Sequence, residues 1–68
     1  MSVAKVIELV GQSSHGWDDA VKNAVNRAEQ TVDDITGIEV INQTARVEQG
    51  EISQYKVNVK LLFGIKED

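Results

Sequence analysis

The sequence predicts an α+β fold of order β-α-β-β, a three-stranded antiparallel sheet packed on one helix. Three observations predict it. Near the end of the chain apolar and polar residues almost alternate: Ile52, Tyr55, Val57, Val59, Leu61, Phe63 and Ile65 are apolar, with Lys56, Asn58, Lys60 and Lys66 set among or just after them. Period-two alternation sends the two sets to opposite faces of a sheet. Earlier, Trp17, Ala20, Val21, Ala24, Val25, Ala28, Val32 and Ile35 recur at three- and four-residue spacings, which makes one stripe on a helix. Before the last strand, Gln49-Gly50 reads as a two-residue hairpin turn.

Taken in order, Val3 to Val10 is the first strand, rich in Val, Ile and Leu. Its alternation is too poor to assign a buried face. Gly11-Gln12-Ser13-Ser14-His15-Gly16 is a cluster of turn formers. The helix is expected from Trp17 to Thr36, with Gly16 or Ser14 as N-cap. Asp18 and Asp19 suit its first turn, where the dipole favours negative charge. The Ala-rich stripe lets the helix lie close to a sheet. Gly37 is placed to be the left-handed residue that stops it. Asp33 and Asp34 then fall in the last turn, where the dipole disfavours each by a few tenths of a kcal/mol. Either both are solvated, or a cation or a neighbouring subunit's basic group offsets the cost. Ile38 to Glu48 is the second strand and Glu51 to Ile65 the third.

The hairpin pairs the second and third strands, and the helix returns the chain so that the first and second run the same way. The third strand is then central and antiparallel to both, giving order 1-3-2. With Gln49-Gly50 as the turn, Glu48 meets Glu51, Thr44 meets Tyr55, Asn42 meets Val57, Val40 meets Val59 and Ile38 meets Leu61 on the helix face. The other face pairs Gln43 with Lys56, Ile41 with Asn58, Glu39 with Lys60 and Gly37 with Leu62. That face is mixed, and it reads as a subunit interface with a polar ligand pocket.

The chain has 68 residues, no cysteine and one histidine. It is expected to form a single domain over residues 1–68. A domain this small buries only about 60% of its unfolded surface and needs a supplement. Disulfides, a thiolate zinc site and a histidine-built metal site within one chain are excluded by composition, which leaves oligomerisation. Length points the same way: the third strand would span about 50 Å at roughly 3.3 Å per residue, against about 30 Å of helix at 1.5 Å per residue. A net charge of −4 with scattered basic residues argues against nucleic acid as a partner. No apolar run approaches the roughly 20 residues of a membrane helix, and the first residues lack the shape of a signal peptide, so a cytoplasmic location is expected. Nothing assembles a nucleophile or an acid–base pair, so no enzyme is expected. Trp17 and Tyr55 read as packing residues and His15 as a solvated loop residue.

The ordered set of segments resembles the dodecin family. It comprises Lys5-Val6-Ile7-Glu8-Leu9-Val10-Gly11-Gln12-Ser13, then Trp17-Asp18-Asp19-Ala20-Val21, Ala24-Val25-Asn26-Arg27-Ala28 and Thr31-Val32, then Glu39-Val40 and the run from Tyr55 to Phe63. The resemblance covers nearly the whole chain. It implies a hollow homododecamer that binds a flavin such as riboflavin, FMN or FAD for storage or sequestration. In flavin-binding members a Trp after the helix stacks on the isoalloxazine and a Gln on the last strand hydrogen-bonds its edge. Those positions are Gly37 and Lys56 here. Gly37 offers no stacking plane, and Lys56 is a donor only. Gln43, expected opposite Lys56, is the candidate to supply the missing amide. The alternative is a dodecin-like shell without a working flavin site, acting as a scaffold or taking another anionic cofactor or a divalent cation through Asp33 and Asp34, since calcium and magnesium suit oxygen ligands.

Overall fold

The computed structural model describes residues 3–65; Lys66, placed above in the polar set of the last strand, and the Met1-Ser2 start lie outside them. The element order is β1 (Val3–Ser13), α1 (Trp17–Glu29), β2 (Ile35–Glu48) and β3 (Glu51–Ile65). The sheet order is β1-β3-β2, and β3 runs antiparallel to both neighbours. The fold class and topology are those expected.

The helix is amphipathic around Ala20, Ala24 and Ala28, all buried. These meet Val57, Val59 and Leu61 of β3, each fully buried, so the odd-numbered residues of β3 face the helix as the alternation required. Ile7 and Leu9 of β1 pack against the same cluster. Gly11 sets how close the helix comes. A Cβ there would collide with the Ala20 carbonyl oxygen and lie 3.0 Å from Ala24 Cβ. The Ala stripe and Gly11 therefore act as one device that brings helix backbone onto strand backbone. Side chains fix the joint: Ser13 Oγ donates to Asp19 Oδ2 at 2.6 Å and accepts the His15 N–H at 2.8 Å. Asn23 Nδ2 donates to the Gln12 carbonyl oxygen at 2.8 Å, meeting a backbone acceptor on the outer strand β1.

Three expectations are corrected. The helix ends at Glu29 rather than Thr36. Its last carbonyls are taken by the N–H groups of Gln30, Thr31 and Val32, and Asp34 at φ 59° makes the left-handed turn into β2. Asp tolerates that conformation better than most residues. Gly37 consequently lies inside β2, not at a helix stop. Asp33 and Asp34 lie beyond the last helical turn, where the dipole has faded, so the cost that motivated a compensating charge is absent.

The third correction concerns register. The Gln49-Gly50 turn is as expected, with φ of 53° and 81°, the primed geometry that matches strand twist. Glu48 meets Glu51, but the pairing then slips between Arg46 and Val47 and slips back between Val40 and Asn42. Ser53 is the unpaired residue of the first bulge and Ile41 of the second. Between them the register is offset by one: Ala45 faces Tyr55, Thr44 faces Lys56, Gln43 faces Val57 and Asn42 faces Asn58. Beyond Ile41 the expected pairs return, Val40 with Val59, Glu39 with Lys60, Ile38 with Leu61 and Gly37 with Leu62.

The helix lies over β1 and β3 and leaves β2 to one side. From Ile38 to Glu48 every residue of β2 is exposed, Val40 at 45% and Val47 at 62%.

Replacing Gly11 by Ala should cost about 1–3 kcal/mol, the usual range for overpacking, read as a lower denaturation midpoint. Gly64→Ala, where the added methyl meets nothing within 4 Å, should leave the midpoint nearly unchanged.

Candidate functional site

The sheet has a second face, away from the helix. On β3 it carries Lys56, Asn58, Lys60 and Leu62, because the odd-numbered residues between them are turned to the core. Cross-strand pairing brings Gln12 of β1 beside Lys56, Val10 beside Asn58 and Val6 beside Leu62. From β2 it brings Thr44 beside Lys56, Glu39 beside Lys60 and Gly37 beside Leu62. Val6 and Val10 are exposed at 49% and 56%. An open sheet face thus mixes apolar, amide and charged groups.

Gly37 and Lys56 share this face, as the sequence register required. They do not share one place on it. Gly37 sits against Leu62, six residues along β3 from Lys56, which is about 20 Å at roughly 3.3 Å per residue. That exceeds the length of a three-ring isoalloxazine. A planar ligand of that size cannot reach both positions on one chain.

Gln43 is not opposite Lys56. The Ile41 bulge turns it to the side of Val57, the helix-side parity, and puts Thr44 beside Lys56 instead. The reason for choosing Gln43 is thereby removed. Thr44 is held from the far side: Trp17 Nε1 donates to its carbonyl oxygen at 3.1 Å, and the Trp17 ring meets Tyr55 edge-on with centroids 4.9 Å apart. Both aromatic rings are thus committed to packing. Sequence reasoning missed a pair of amides on the open face, Gln54 Nε2 donating to Gln12 Oε1 at 2.7 Å. The signal was present in the alternation, which puts Gln54 on the same side as Lys56.

Asp33 and Asp34 are exposed in the connection from α1 to β2. Among the described residues no three His, Asp or Glu groups come together to hold a metal ion. His15 is exposed in the loop before α1. Two open grooves, of about 240 and 360 Å³, run between β1 and α1 and share Leu9 and Arg27 as lining. Neither includes Gly37, Gln43, Lys56, Asp33 or Asp34. No helix among the described residues is long and apolar enough to cross a membrane.

The family model described as Dodecin matches residues 3–66. Calcium dodecin of Mycobacterium tuberculosis is 36% identical over 66 residues, covering 97% of this chain and 93% of that protein. The structure of dodecin from Streptomyces coelicolor superposes with a TM-score of 0.91 at 37% identity, covering 98% of this chain and 96% of that one. A crystal structure of the M. tuberculosis calcium dodecin, described as calcium-chelating with a novel calcium-binding site, gives a TM-score of 0.80 at 37% identity, covering 94% of this chain and 91% of that one.

Proposed function

The chain belongs to the dodecin family, and on that premise we propose that it is a non-enzymatic, cytoplasmic binding protein that stores or sequesters a flavin between subunits of a hollow homododecamer. The whole chain acts as one dodecin-like domain over residues 1–68. The observation that carries the reading is the open sheet face on which Gly37 and Lys56 lie about 20 Å apart. A binding position made from both needs two copies, and the exposed Val6 and Val10 supply the apolar surface that brings copies together. In this reading Lys56 meets a ligand oxygen, a ring carbonyl or the phosphate of FMN. Gly37 leaves an open slot where a stacking ring would stand. The slot admits a side chain: a Cβ on Gly37 would come no closer than 3.9 Å to Leu62.

A second reading is supported by the calcium-binding relative. Asp33 and Asp34 are solvent-facing oxygen donors. Calcium takes about six to eight oxygens, so two carboxylates from one chain hold it only where other copies add theirs.

Titrating FMN with the assembled protein should quench flavin fluorescence, and saturating FMN without quenching would refute the flavin reading. Gly37→Trp should tighten binding about two- to tenfold, the worth of one aromatic stacking contact. Unchanged affinity in that variant would remove Gly37 from the site. For the second reading, calorimetric titration with calcium should give heat that is lost when Asp33 and Asp34 are both replaced by Asn. Heat that persists would place any bound cation elsewhere.

A further inference from the structure

We propose that the Gln12–Gln54 side-chain pair is the element of this chain that reads the polar edge of the ligand, and that the edge it fits is a cyclic imide, C=O beside N–H. The inference rests on the flavin reading above and deepens it by naming the residues that recognise the ring.

Gln12 is the direct cross-strand partner of Lys56 on β1. Gln54 precedes Lys56 by two residues on β3 and points to the same face. Their side chains meet diagonally, Gln54 Nε2 donating to Gln12 Oε1 at 2.7 Å. Each amide carries one oxygen acceptor and an NH2 with two donors. The mutual bond occupies one oxygen and one N–H. It leaves the Gln54 oxygen and the Gln12 NH2 with no further side-chain hydrogen bond among the described residues. An acceptor and a donor are thus held together by the bond between their amides. A ring N–H donating to Gln54 Oε1 and a ring carbonyl accepting from Gln12 Nε2 complete the pattern. Lys56 cannot do this, because it only donates.

Two further observations agree. The Gln12 backbone carbonyl is tied to Asn23 at 2.8 Å, which anchors the strand beneath the pair. Asn58, next on the same face beyond Lys56, has its Oδ1 buried without a hydrogen-bond partner among the described residues. That acceptor has room for a donor from a water or a ligand, and its cross-strand neighbour on β2 is another amide, Asn42. Beside Lys56, Gln12, Gln54 and Asn58 thus each keep hydrogen-bonding capacity beyond the bonds they make to one another.

The test compares riboflavin with 3-methylriboflavin, which keeps the ring but loses the imide N–H. Both are titrated by fluorescence quenching into the assembled full chain and into Gln54→Leu and Gln12→Leu. The wild type should prefer riboflavin by about five- to tenfold, one hydrogen bond's worth. Gln54→Leu should lose that preference while binding 3-methylriboflavin as the wild type does. Gln12→Leu, which removes the paired donor and leaves the Gln54 oxygen unanchored, should weaken both ligands. A wild type that binds both flavins equally, or a Gln54→Leu variant that still discriminates, would overturn this inference and leave the flavin reading standing. A wild type that binds neither would overturn both. If Gln54→Leu loses its assembly by light scattering, Gln12→Leu carries the test alone: wild-type affinity for both ligands would then overturn the inference.

Discussion

One helix of 13 residues cannot cover a sheet in a molecule 55 Å long. At 1.5 Å per residue the helix reaches only about 20 Å. The helix settles over β1 and the middle of β3 because Gly11 and the Ala stripe allow backbone to approach backbone there. The large side chains it buries completely are Val57, Val59 and Leu61. Fully burying a side chain of this size contributes about 1.5–3 kcal/mol, so three of them with a few half-buried neighbours make a thin core. Everything the helix does not reach remains open: all of β2 beyond Gly37, and the far face of the sheet. Both carry large apolar residues, Ile38 and Val40 on one side and Val6 and Val10 on the other. A long, apolar strand left at a sheet edge is a pairing surface by its own chemistry.

The same mismatch locates the functional question. A sheet this long separates Gly37 from Lys56 along one face, so a single chain cannot bring both to a ligand the size of an isoalloxazine. The bulges at Ser53 and Ile41 in the β2–β3 ladder then decide which side chains beside Lys56 reach that face. They turn Gln43 to the helix side and present Thr44 beside Lys56, while the alternation of β3 presents Gln54. The amide expected from Gln43 is thus replaced on the open face by Asn42 beside Asn58 and by the Gln12–Gln54 pair from β1 and β3.

Much of this was legible in the sequence because the signals were periodic. The strand order, the Gln49-Gly50 turn, the inward set of β3 and the packing roles of Trp17 and Tyr55 follow from spacing and connection rules. The helix end was misjudged because Val32 and Ile35 continue the three- and four-residue spacing by coincidence; Ile35 belongs to β2. The composition of Thr31-Val32-Asp33-Asp34-Ile35-Thr36, all poor helix formers, carried the true signal. The register error also left a trace. Ile52 to Tyr55 is a step of three in an otherwise alternating run, and Val40-Ile41 puts two apolar residues side by side. Each marks a bulge, where one extra residue reverses the facing of the next. That the helix lies close to the sheet was legible in its Ala stripe, but where it comes closest was not, since Gly11 reads as a turn residue until the helix is seen against it.

The central claim is that the uncovered sheet is buried by further copies of the chain. Multi-angle light scattering of the full chain at low micromolar concentration tests it most directly. The account predicts a single species of about 90 kDa, twelve copies of a 7.5 kDa chain. A stable, folded monomer of 7.5 kDa would contradict it.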